Sequence, residues 1–123
     1  MAIDLTRLKA VELPTKEVEV EVLGEKQKVK ISAINDSGYL DFVSIREAAP
    51  ERAESKIRLW ILEHCAGMSA ADAALLMERD GKCAAAIVSE VFALTDEFAK
   101  AQAEARETAK KKQTEPSPTA DKQ

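Results

Sequence analysis

The chain has little of the equipment that most site chemistry needs. It holds one histidine, His64, and two cysteines, Cys65 and Cys83. The cysteines form no Cys-x-x-Cys pair, and there is no second histidine, so a zinc site of ordinary spacing is excluded. Both cysteines fall on apolar faces, where small buried thiols are expected rather than a disulfide, and this usage fits a reducing cytoplasm. Four glycines scattered at turns cannot build a phosphate-cradling loop, and no serine nucleophile motif appears. Aromatic residues make up 4% of the chain, so its core must be aliphatic and rich in alanine. No apolar run approaches the ~20 residues of a membrane span. The start lacks the basic segment and apolar run of a signal peptide. The net charge is −4 with acids and bases interspersed, which argues against nucleic acid as a partner, since that selects a basic face.

What is present describes one small domain. The 123 residues are 46% apolar and 33% charged, an ordinary globular balance. A domain this small has an unfavourable surface-to-volume ratio, so self-association or a partner would help it. Its densest apolar run is Ser55–Cys65, with the only tryptophan and the only histidine. At about 100° per residue, Ile57, Trp60, Ile61 and His64 share one face, and Leu59 and Leu62 the other. A helix apolar on two sides needs cover on two sides. The run is therefore expected to be a central helix, from about Pro50 to Ala66, with a hairpin and further helices packed around it.

The rest is organised around that helix. Met1–Leu13 is an arm or edge strand, with a short helix the other possibility. Lys16–Val22 alternates Val18, Val20 and Val22 with Glu17, Glu19 and Glu21, the period-2 mark of a half-buried strand. Gln27–Ile34 alternates again, and Leu23 to Lys26 between them is a turn. Paired antiparallel, the outer faces set glutamates against lysines. Asn35 to Gly38 has the composition of a loop. Tyr39–Ile45 suits a helix or a strand, with a short helix near Leu40–Ala48 favoured. Gly67 suits the end of the central helix. Ser69 is a cap for a short helix with the stripe Ala73, Leu76 and Met77, ending near Arg79. After a break at Asp80-Gly81-Lys82, Ala84, Ile87, Val88, Val91, Leu94, Thr95 and Phe98 mark a long helix. Beyond Phe98 its stripe thins to Ala101, Ala105 and Ala109. Residues 110–123 open with three lysines and are expected to be a disordered tail. The fold class is α+β: an N-terminal antiparallel hairpin on three to four helices, as one domain over residues 1–109.

No catalytic, cofactor-binding or metal-binding residue can be assigned. His64 and Cys65 are helix neighbours and diverge by about 100°, so they do not make a Cys-His pair. His64 is better placed as a core or interface histidine. Glu63 and Glu90 are single acids without a paired carboxylate. The helices around Gly67-Met68-Ser69 loosely suggest a helix-turn-helix, but Ala70–Arg79 carries Asp72 and Glu78 against one arginine, a poor recognition helix. A helix-turn-helix regulator and an oligomeric virion adaptor stand as the alternative functions.

The early hairpin from Glu17 to Ile31, the run from Lys56 to Leu62, the stretch from Gly67 to Leu76, and Asp80 through Leu94 together resemble the tail assembly chaperones of long, flexible-tailed bacteriophages. The resemblance is one of layout over residues 15–109. It implies a non-enzymatic factor of the host bacterial cytoplasm that coats the tape measure protein before tail tube protein polymerises around it. Such a factor is absent from the finished tail, and many exist also as a longer frameshifted form. The lysine run Lys110–Lys112 would suit a slippage site. A homo-oligomer is expected, with no nucleic acid, membrane or cofactor. The partner-facing surface is expected at Val91, Leu94, Phe98, Ala101 and Ala105. The competing expectation is that Val91, Leu94 and Phe98 belong to the core.

Overall fold

The computed structural model describes the backbone of residues 12–114 and the side chains of residues 12–110. Residues 1–11, expected as an arm, an edge strand or a short helix, and residues 115–123 of the expected tail lie outside the described residues. Among the described residues the fold is α+β: an antiparallel hairpin, β1 (Thr15–Val22) and β2 (Glu25–Ser32), then four helices. These are α1 (Asp36–Ala48), α2 (Ala53–His64, entered through a 3-10 turn at Pro50–Arg52), α3 (Ala70–Arg79) and α4 (Gly81–Thr114).

The hairpin forms because its alternation gives one buried and one wet face. Val18, Val20 and Ile31 are buried, while Glu17, Glu19 and Glu21 lie opposite Lys30, Lys28 and Lys26. Two of these charges reach diagonally, Lys28 to Glu17 and Lys26 to Glu19, each at 3.9 Å. Both pairs are solvent-exposed, so each contributes less than about 1 kcal/mol. The turn is shorter than the sequence suggests, only Leu23 and Gly24. Both take positive φ (51° and 84°), the pattern of a two-residue turn whose twist matches that of the strands. Shortening the turn moves Lys26 into the strand, where it faces Glu21.

The stretch Asn35 to Gly38 is not a loop. Asn35 caps α1, its side chain accepting from the Gly38 N–H at 2.8 Å, so the helix begins at Asp36. Residues 39–45 are therefore helical, as favoured, and the helix is a turn longer. Gly38 is buried under Trp60. A Cβ there would lie 2.6 Å from Trp60 Cη2 and 2.8 Å from Ile34 Cγ2, so only glycine fits. Phe42 meets the edge of Trp60 at 5.1 Å between ring centroids, and the indole N–H donates to Asp41 at 3.0 Å. Pro50 separates α1 from α2 because its ring disfavours helix in the residue before it. Gly67, at φ 70°, and a bond from Met68 N–H to Leu62 O (3.1 Å) close the end of α2. Ser69 caps α3, accepting from Asp72 N–H at 3.1 Å.

The organising element differs from expectation. Helix α2 does pack on α1, α3 and α4, with Ile57, Ile61 and Leu62 buried. The hairpin, however, packs on α4, and meets the α2 end at Cys65, whose O accepts from Ser32 N–H at 2.8 Å. Helix α4 alone meets both strands, α2 and α3. It can do so because Cys83, Ala84, Ile87, Val88, Val91, Leu94 and Thr95 are all buried and span more than one face. Thr95 joins it to the hairpin exit: its hydroxyl donates to Val91 O (2.8 Å) and accepts from Ile34 N–H (2.9 Å). The boundary expected at residue 110 falls inside this helix, which continues through Lys110 to Thr114. Alanine and long unbranched side chains propagate a helix well once it is nucleated on the core.

Candidate interaction surface

A groove of about 780 Å³ lies between α2 and α4, closed at one end by the corner of α1 and the 3-10 turn. Ile57 and Val88 form its floor, with Ala53 and Ala85 beside them, and Phe92 stands at its edge, 38% exposed. Arg46, Arg58 and Glu54 line its mouth, and Glu54 accepts from Arg58 at 2.7 Å. Apolar floor and charged mouth suit an amphipathic segment better than a small polar substrate. A second exposed apolar area lies on α1: Leu40 is 70% exposed, with Val43 and Tyr39 nearly half exposed.

The structure divides the five residues expected to face a partner. Val91 is fully buried and Leu94 nearly so, which corrects their assignment to a surface: they hold α4 onto the domain. Phe98 is half-buried, in a smaller cleft with Leu13, Ile34 and Tyr39. Ala101 and Ala105 are exposed. Phe92 was not on the expected list, although a phenylalanine outside the stripe of its own helix is a signal visible in the sequence.

His64 is not a core residue. It is exposed in the last turn of α2, its ring stacked on Trp60 at 4.2 Å, with Nδ1 2.9 Å from Trp60 O. Ile61, Leu62 and Cys65 around it stay buried, so His64 is turned outward over the partly exposed face of Trp60. Cys65 and Cys83 are both buried and both free thiols. Burial pushes each thiol up from its ordinary range. A side-chain hydrogen bond with Ser32 partly offsets this at Cys65, and the charge of Asp80 adds to it at Cys83. Raised thiols are poor nucleophiles at neutral pH. Glu90 lies 4.0 Å from Lys16 across the hairpin interface. The single arginine of α3, Arg79, is 3.5 Å from Glu78, which leaves that helix without a basic face to offer DNA.

Among the described residues no group of three His, Cys, Asp or Glu side chains is placed to hold a metal ion, and no helix is long and apolar enough to cross a membrane. Comparison with protein families, with characterised proteins and with solved structures finds no match to this chain.

Proposed function

We propose that the chain is a tail assembly chaperone of a long, flexible-tailed bacteriophage or prophage, acting by protein contact and without catalysis. It would hold the tape measure protein soluble in the host cytoplasm until tail tube protein displaces it, and leave before the tail is finished. The layout of hairpin, capped helices and long last helix supports this reading. The observation that carries it is the exposed apolar surface: Phe92 above the groove, Leu40 and Val43 on α1, and the outward part of α4 with Ala101 and Ala105. A protein that shields a long apolar helix must offer such surface reversibly.

Co-expression with the tape measure protein tests this. The tape measure protein should stay soluble only when the chain is present, and Phe92→Asp should abolish protection while the melting curve is kept. A tape measure protein that is equally soluble without the chain would overturn the proposal. The codons of Lys110–Lys112 give a second readout. A slippery heptamer with an overlapping downstream frame would indicate a longer frameshifted form. Codons that cannot re-pair after a one-base shift would remove that form.

A further inference from the structure

Helix α4 is continuous from Gly81 to Thr114, yet every residue from 99 to 110 is exposed. At 1.5 Å per residue, the part from Ala99 onward projects about 24 Å past Phe98, the last of the described side chains that is even half-buried. The groove between α2 and α4 has the opposite character, an apolar floor on which none of the described residues is laid. A straight helix cannot bring its residues 101–109 back to a groove that its own residues 85–92 help to form. We infer that the groove receives the projecting part of α4 from a second copy of the chain.

The charges match. Ala101 and Ala105 form a narrow ridge of the outer helix at a spacing of four, continuing the line of the half-buried Phe98 at its root. Glu97 and Glu104, one heptad apart, flank it on one side, and Arg106 lies on the other. At the groove mouth Glu54 is bonded to Arg58, so Arg46 is in excess among the lining charges. Glu97 and Glu104 therefore face Arg46 and Arg58, and Arg106 faces Glu54. The alanines let the helix backbone come close to Ile57 and Val88, with Phe92 covering one side. The contact is head to tail, groove to helix, so each pair leaves one groove and one helix open for further copies. It uses surface offered above to a tape measure protein, so the two partners would compete, but it is tested on copies of this chain alone and stands whether or not the proposed function does.

Ser89 in the groove and Ala105 on the ridge are both exposed, so arginine at either leaves the core intact, which melting curves verify. Molecular mass is followed by light scattering across a concentration series. The unaltered chain should associate as concentration rises. Ser89→Arg and Ala105→Arg should each weaken association by about tenfold or more, a shift of ~1.4 kcal/mol. Mixed in equal amounts, the two variants should form a dimer that grows no further, since one still offers a helix and the other a groove. Glu104→Arg should weaken association, and Arg46→Glu in the same chain should restore it. An unaltered chain that is monomeric to about 1 mM, a Ser89→Arg chain that associates normally, or a mixture that stays monomeric would each overturn the inference.

Discussion

The carboxylate of Asp80 accepts a hydrogen bond from the backbone N–H of Leu23 at 2.9 Å, 57 positions earlier in the chain. Its other oxygen accepts from Cys83 N–H at 3.2 Å and so caps the start of α4. One side chain thus ties the hairpin turn to the helix on which the hairpin lies. Asp80→Ala should cost about 1–3 kcal/mol, read from urea denaturation. Amide exchange at Leu23 should quicken more than exchange elsewhere in the hairpin.

Leu23 itself sits at φ 51°, where a leucine costs roughly 1–2 kcal/mol, and its side chain is 79% exposed. Leu23→Asn should therefore raise the melting temperature, because Asn-Gly is the preferred pair for this turn and no burial is lost. An unchanged or lower melting temperature would show that the exposed leucine is held by something other than turn geometry.

Thr95 offers a cleaner test of long-range connection. Thr95→Val keeps the shape but leaves the Ile34 N–H without its acceptor, and should cost about 1–3 kcal/mol. Thr95→Ser keeps the hydroxyl and loses one methyl, so it should cost less. Equal losses for the two would mean that packing, not the hydrogen bond, holds the hairpin exit to α4.

Gly38→Ala should destabilise by about 1–3 kcal/mol, although alanine favours a helix interior by ~1 kcal/mol over glycine. The added methyl would strike Trp60 and Ile34. Tryptophan fluorescence should shift along with stability.

The raised thiols predict a pH dependence. Cys65 and Cys83 hold their protons more tightly when folded than when unfolded. Above the ordinary thiol range, about pH 8.5, the unfolded chain has lost those protons while the native one keeps them. Stability is thus complete below that pH and declines as pH rises past it. Melting temperatures from pH 7 to 10 should fall, and Cys83→Ala should flatten part of the fall. A thiol reagent at pH 7 should label neither cysteine until denaturant is added.

The sequence made some of this legible, and for stated reasons. The hairpin was readable because strict alternation has one interpretation, and its glutamate-to-lysine facing followed from antiparallel pairing, although the two-residue turn adds Lys26 to the lysine row. Ser69 and Gly67 announced the α3 cap and the α2 end through chemistry particular to those positions. Asn35 misled because Asn, Asp, Ser and Gly serve both loops and helix starts, and only the bond to Gly38 N–H distinguishes them. The choice of α4 over α2 as the hairpin's support lay beyond periodicity, since both helices have apolar residues on more than one face. At the candidate site, periodicity placed Val91 and Leu94 on the correct stripe but could not say that the stripe turned inward there and outward after Phe98.

An unbroken helix from core to exterior acts as a lever whose phase is set at its root. Thr95 and Leu94 fix the azimuth at which Ala101 and Ala105 emerge, with no joint between to absorb an error. One residue inserted after Lys100 would leave the hairpin, α1, α2 and α3 untouched, yet swing everything beyond it by about 100° and advance it 1.5 Å. Whatever grips that outer half is thereby aimed by the interior.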